Sequence, residues 1–174
     1  TKQGVTLEIF GEGWSMGPLN ARMKENALRR QGDIRYDIPW TTLGGYLEYL
    51  EQRGITPNVA SFVGATTVRI HVLGEDDVQP DAGQLARMQD LVREAMAEGA
   101  LGVGASLIYP PAAFARTEEL VALAQAAAES GGGYIAHMRS EAARLLEAVD
   151  ETIAIARATG LDGALGAGLV IMAT

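Results

Sequence analysis

Hydrophobic positions along this chain alternate between two rhythms. Short apolar runs predict strands, and stretches with apolar residues three and four apart predict helices. Gly4-Val-Thr-Leu-Glu-Ile-Phe10 is the first strand candidate, followed by the turn Gly11-Glu-Gly-Trp-Ser15. Leu43, Leu47 and Leu50 share a helical face, with Thr41 or Thr42 as N-cap and Gly54 just past the end. Asn58-Val-Ala-Ser-Phe-Val63 predicts a second strand. Val68, Ile70 and Val72 then alternate, with His71 between them, before the turn-rich stretch from Gly74 to Pro80. Asp81-Ala-Gly-Gln84 has the form of a capping box and opens a helix with Leu85, Met88, Val92 and Ala95 on one face. Ala100-Leu-Gly-Val-Gly104 is the third strand, and Leu107-Ile-Tyr-Pro-Pro111 a loop. Thr117 is expected to cap the next helix, with Glu118 and Glu119 favourably placed in its first turn. After Gly131-Gly-Gly133, Tyr134 to His137 reads as the fourth strand. Leu146, Val149, Ile153 and Ala156 are expected to line the helix that follows, and Leu169-Val-Ile-Met172 fits a fifth strand.

Serial βα alternation argues for an α/β fold with a parallel sheet and right-handed crossovers. A complete (β/α)₈ barrel needs about 200 to 250 residues. Four or five βα units therefore make either half of a TIM barrel or a small open doubly wound sheet, and the pattern does not separate the two. The chain has 174 residues and is 48% hydrophobic, enough for one domain with a real core. Acidic residues number 22 against 14 basic ones, a net charge of −8, which disfavours nucleic acid as a partner. No run approaches the roughly 18 uncharged apolar residues of a membrane span. There is no cysteine. Disulfides and thiolate ligands are therefore excluded, and any metal site must use His, Asp or Glu. The compartment is left open, with the cytoplasm slightly favoured.

His137 is one of two histidines and ends a short apolar run that feeds a helix. In a βα unit that position faces the active end of the sheet, where a neutral imidazole can ligate metal or carry a proton. The bland alternative is a hydrogen-bonded core histidine. Glu12 lies directly after the first strand, at the same end, and could equally be an exposed loop glutamate. Tyr109, between a strand end and Pro110-Pro111, is either held for recognition or packed under its loop. Arg139 could grip a carboxylate with two hydrogen bonds, or pair with Glu141 or another acid. His71 has no acidic or histidine neighbour at ligand spacing and reads as structural. Gly102-Val-Gly104 lacks the remaining glycines of a phosphate loop, and no Gly-x-Ser-x-Gly nucleophile elbow occurs.

Five segments, in order, carry a resemblance. They are Gly4-Val-Thr with Gly11-Glu-Gly-Trp-Ser-Met-Gly-Pro18, Asn58-Val-Ala-Ser-Phe-Val-Gly64, Glu98-Gly-Ala-Leu-Gly-Val-Gly104, Leu107-Ile-Tyr-Pro110 and Tyr134-Ile-Ala-His-Met-Arg-Ser-Glu141. Together they resemble the D-aminoacylase (N-acyl-D-amino-acid deacylase) family of the amidohydrolase superfamily, from about Gln3 to about Gly160. The resemblance implies a metal-dependent TIM barrel hydrolysing the amide of N-acyl-D-amino acids, with one or two zinc ions. His137 matches the family's strand-end metal ligand. Glu12 matches a loop position where many members have a ligating cysteine, and Tyr109 the tyrosine that contacts the substrate carboxylate. No catalytic acid or base is assigned.

The departures shape the expected organisation. The family's His-x-His pair lies upstream of Thr1, and the second strand histidine expected after the last helix is absent from Leu161–Thr174. Ala65 stands where many relatives have histidine. Residues 1–160 are accordingly expected to be a segment of the catalytic barrel, and 161–174 a divergent or truncated tail. Open strand edges would favour self-association. Two rivals are a non-catalytic α/β domain binding a small molecule or partner, and another metal-dependent amidohydrolase acting on cyclic amides.

Overall fold

The computed structural model describes residues 3–160. Strand β1 (Leu7–Phe10) leads into a long connection that carries helix α1 (Ala21–Arg30), then α2 (Leu43–Arg53). Next come β2 (Asn58–Ser61), β3 (Val63–Gly64), α3 (Ala65–Leu73) and α4 (Ala82–Ala97). Strand β4 (Gly102–Ser106), helix α5 (Thr117–Ala128), strand β5 (Gly133–His137) and helix α6 (Leu145–Ala158) complete the series. The expected fifth strand at Leu169–Met172 and the tail from residue 161 lie outside the described residues.

All the strand pairs are parallel. β1 pairs with β2 from Leu7↔Asn58 to Phe10↔Ser61, and β4 lies between β3 and β5, with Ser106 opposite His137. β2 and β3 are two halves of one run broken at Phe62. The Phe62 amide donates to the Phe10 carbonyl (2.9 Å), and the Leu101 amide donates to the Ser61 carbonyl (2.9 Å), so the ladder crosses the break. Four parallel runs thus follow one another in space in their sequence order. A doubly wound sheet would reverse direction at a switch point. The unreversed order is that of a barrel wall, here a partial one with no closed barrel among the described residues.

Val63, Val103, Ala105, Tyr134 and Ala136 share one core cluster with Met88, Leu91 and Val92 of α4, Leu120 and Leu123 of α5, and Ile155 of α6. The opposite strand face is the inner face of the wall. Local signals placed several helices well. Thr42 caps α2, accepting from the Gly45 amide, and Gly54 ends it at φ 77°. Asp81 and Gln84 form a reciprocal capping box at α4.

Other expectations are corrected. β1 begins only at Leu7, because Gly4 is in a turn conformation at φ 83°. The third strand starts at Gly102 rather than Ala100, since the Ala100 amide bonds back to the Ala95 carbonyl and belongs to the end of α4. Val68, Ile70 and Val72 sit on helix α3, not in an extended segment. Residues Ala65 to Ile70 are all buried, so the helix is apolar on several sides and its sequence loses the helical period. Thr117 does not cap α5. Arg116 occupies the cap position, and the Thr117 hydroxyl bonds the Glu151 carboxylate (2.8 Å).

Helix α6 is rotated from the expected face. Ala148 and Ile155 are buried, while Leu146 is 78% exposed. Glu151 lies on the buried face and is held by Thr117 and Arg139, so a polar anchor overrides the apolar stripe. One further ion pair is fully interior. Arg69 of α3 donates to Glu119 of α5 (2.5 Å), with side-chain exposures of 1% and 3%, and also to the Val78 carbonyl.

Candidate active site

Strand β5 alternates faces. Tyr134 and Ala136 turn to the helical core, which puts Ile135 and His137 on the inner face, with His137 at the C-terminal end. The His137 side chain is only 12% exposed. Its Nε2 is buried without a hydrogen-bond partner, the Glu141 carboxylate being 3.5 Å away. A buried imidazole nitrogen without a partner costs free energy, which a ligand at that atom would recover. Tyr109 follows β4 and leans edge-on against His137, with ring centroids 5.6 Å apart and planes at 62°. The Leu107 amide donates to the His137 carbonyl (2.9 Å) and ties this loop to the strand end. Tyr109 is otherwise 57% exposed, so it is not packed under its loop.

Glu12 is half-buried in the turn Gly11–Gly13, which lies across the C-terminal ends of β3 and β4. Glycines make the crossing possible. A Cβ on Gly104 would overlap the Gly11 carbonyl oxygen and come within 2.9 Å of the Glu12 Cα, and one on Gly64 would overlap the Gly13 carbonyl. Ser15 fastens the turn, its hydroxyl accepting from the Gly64 amide (2.9 Å) and its amide donating to the Thr67 hydroxyl (2.8 Å). Glu12 therefore belongs to the same sheet end as His137, its backbone lying over the neighbouring strand. Gly104→Ala is expected to displace this turn and to destabilise the protein by about 1–3 kcal/mol, the usual cost of overpacking. A urea melt superimposable on the wild type would show that the turn yields freely.

Beyond Glu12 lies an apolar groove of about 960 Å³. It is lined by Met16, Met23 and Ile38, which pack in one cluster with Ile70, and by Phe10, Trp14 and Ile135. Asn20 caps α1 by accepting from the Met23 amide, and the Trp40 indole donates to the Met16 carbonyl (2.7 Å), which hold this excursion in place.

No family model matches the chain. It is 35% identical over 159 residues to a D-aminoacylase of Alcaligenes xylosoxydans xylosoxydans, an alignment covering 89% of this chain and 32% of that enzyme. An N-acyl-D-aspartate deacylase of the same organism is 31% identical over 157 residues, covering 89% and 31%. The segment is homologous to D-aminoacylases. Its backbone agrees with this. It superposes with TM-score 0.78, at 31% identity, on an N-acyl-D-glutamate deacylase from Bordetella bronchiseptica complexed with zinc and a phosphonate mimic of the tetrahedral intermediate. A D-aminoacylase that defines a subset of amidohydrolases matches with TM-score 0.77 at 33% identity. Each superposition covers 91% of this chain and 33% of the other. The chain thus spans about a third of the length of the curated relatives it matches.

Within this D-aminoacylase-like segment the remaining candidates separate. Arg139 is engaged: it donates to the Ala113 and Ala115 carbonyls (both 2.8 Å) and pairs with Glu151 (3.0 Å), not with Glu141. It is a brace between β5, α6 and the loop after β4, and is not free for a substrate carboxylate. His71 lies on α3, where burial, and then the nearby Arg87, hold its pKa below the ordinary value. Sequence reasoning missed Ser106, which is buried and faces His137 across the ladder. It also missed the α1 wall of the groove, although Asn20 with Met23 and Ala27 behind it was a readable cap-and-face signal. Among the described residues there is no group of three His, Asp or Glu that could hold a metal.

Proposed function

We propose that this segment is part of a metal-dependent hydrolase that cleaves the amide bond of N-acyl-D-amino acids. The observation that carries the reading is the buried, unpartnered Nε2 of His137 at the C-terminal end of β5, in a chain homologous to D-aminoacylases. An imidazole nitrogen and a carboxylate are ordinary zinc donors, so His137 and Glu12 fit zinc as two of its ligands. Zinc, when bound, activates water and polarises the acyl carbonyl. The one or two ions of the intact enzyme need further ligands from outside the described residues. In this reading Tyr109 receives the substrate carboxylate, a role supported by its exposure at the rim beside His137. Zinc titrated into the chain and followed by histidine ring NMR should move the His137 resonances and leave those of His71 in place. Movement of His71 alone would overturn the assignment.

Two protein ligands fall short of the three that catalytic zinc usually has. The 174-residue chain is therefore expected to show no turnover of N-acetyl-D-methionine with added zinc. A rate of about one per second or faster, in the common enzyme range, would contradict this.

Association through open edges belongs to the same proposal. Leu7, Ile9 and Phe10 of β1 are 41–55% exposed, and bare apolar edge strands seek partners. Light scattering at micromolar concentration should report oligomers. A monodisperse monomer would refute the expectation.

A further inference from the structure

Little in its own packing fixes the ring of Tyr109. The residue is 57% exposed, and among the described residues its one aromatic neighbour is His137. An exposed ring of this kind takes its place from the backbone that carries it and from whatever supports that backbone. The carrier is the loop from Leu107 to Arg116, and it is tied down at both ends. At its start the Leu107 amide donates to the His137 carbonyl (2.9 Å). In its middle, beside a short 3₁₀ turn over Ala112–Phe114, the Ala113 amide donates to the Tyr109 carbonyl (3.0 Å). At its far side the Arg139 guanidinium donates from Nη1 to the Ala113 carbonyl and from Nη2 to the Ala115 carbonyl (both 2.8 Å). Arg139 thus reaches the Tyr109 backbone in two hydrogen-bonded steps, through the single residue Ala113.

The arginine is itself held. Its Nε and Nη2 donate to the two oxygens of Glu151 (both 3.0 Å), and the Thr117 hydroxyl donates to the same carboxylate (2.8 Å). A bidentate pair of this kind fixes direction as well as energy. The point charge of a lysine could not span two carbonyls and a carboxylate at once. Arg139, Glu151, Thr117 and the two alanines border a cleft that shares no residue with the groove beside Glu12. The fork therefore works from outside the inner face. Yet it follows His137 by two residues, so the end of β5 carries both the ring that Tyr109 touches and the grip on the loop of Tyr109.

We infer that Arg139, seated on Glu151, is a positioning residue that sets the Tyr109 ring against His137 and thereby fixes the rim where the ligand carboxylate lies. The last clause rests on the proposed function; the juxtaposition of the two rings does not.

The test is nuclear Overhauser NMR on the full chain, first without metal. Wild type should show cross-peaks between the ring protons of Tyr109 and His137, and their absence overturns the inference. Arg139→Gln, which stays polar but loses the fork, should lose them while its urea melt remains cooperative. Arg139→Lys should not restore them. Glu151→Gln should weaken them at a smaller cost to folding. Arg93→Gln, which breaks the exposed pair between α4 and Glu129, should leave them intact. Cross-peaks retained in folded Arg139→Gln overturn the inference and leave a purely structural brace. So does their loss in Arg93→Gln, which would mark a general loosening. If Arg139→Gln does not fold, Glu151→Gln decides, and undiminished cross-peaks there overturn the inference. N-acetyl-D-methionine is then titrated in zinc-containing buffer. Where it shifts the Tyr109 resonances of wild type, the midpoint should rise about twofold to thirtyfold in Arg139→Gln, the reach of a residue that touches no ligand. An unchanged midpoint overturns the inference. If the cross-peaks behave as expected but the ligand shifts no Tyr109 resonance in wild type, the positioning stands and the carboxylate role of Tyr109 fails.

Discussion

Replacing Arg69 by alanine is expected to lower stability by about 3–5 kcal/mol at neutral pH, the usual cost of stranding one member of a buried ion pair. Both side chains are almost fully interior, and the guanidinium joins α3 to α5 while also holding the Val78 carbonyl. Burial already pushes the Glu119 carboxyl above the ordinary carboxylate value, and the attraction of Arg69 opposes that push. Without Arg69 the upward push dominates, opposed by the weaker pull of Arg139. The native state then binds a proton that the unfolded state releases near pH 4.3. Stability must therefore fall as pH rises through the raised native value, and recover as pH is lowered towards about 4.3. Relative to wild type, the deficit of Arg69→Ala should be largest at pH 7 and visibly smaller at pH 5. Arg69→Met with Glu119→Leu, which removes both charges and keeps the volume, should restore most of the loss. Urea melts at the two pH values decide. A deficit below about 1 kcal/mol at pH 7 would mean that the pair is worth no more than a surface one.

The elements that could be read from the sequence are those whose signals are local. A capping box at Asp81 and Gln84, a Thr42 cap with Gly54 behind the helix, and a glycine-flanked apolar run ending at His137 are each settled within a few residues. What could not be read depends on distant partners. The rotation of α6 follows from Glu151 reaching Arg139 and Thr117, and α3 hides its helical period because it is covered on most sides. Unreversed strand order, which makes the sheet a barrel wall, is a fact of assembly that composition does not carry. The same holds for Gly64 and Gly104. Nothing in their local spacing tells that a turn beginning at Gly11 will cross them, yet that crossing puts Glu12 at the sheet end where His137 stands. The α1 excursion went unread although its Asn20 cap was a local signal, because the helix is strongly polar and buries one residue, Met23.

His137→Ala is expected to weaken zinc binding by about a hundredfold or more, beyond what loss of an outer-shell partner costs, while His71→Ala changes it less than twofold. The contrast follows from where the two rings lie. His137 ends β5 on the inner face with a buried Nε2 that nothing in the described residues satisfies, beside Tyr109 and one strand from the Glu12 turn. His71 lies on a helix, half-buried, with burial holding its pKa below the ordinary value, and its backbone carbonyl is used by Asn20 (3.2 Å). Glu12→Gln should weaken zinc binding less than His137→Ala, because the amide oxygen still donates but the charge is gone. Metal-free stability provides an internal control. Removing a buried polar atom that has no partner also removes its desolvation penalty, which offsets the lost packing of the ring, so metal-free His137→Ala should melt within about 1 kcal/mol of wild type. Calorimetric zinc titration and urea melts on the same preparations separate the two effects. Unchanged zinc affinity with a large loss of metal-free stability would identify His137 as an ordinary core histidine and remove the metal from this end of the sheet.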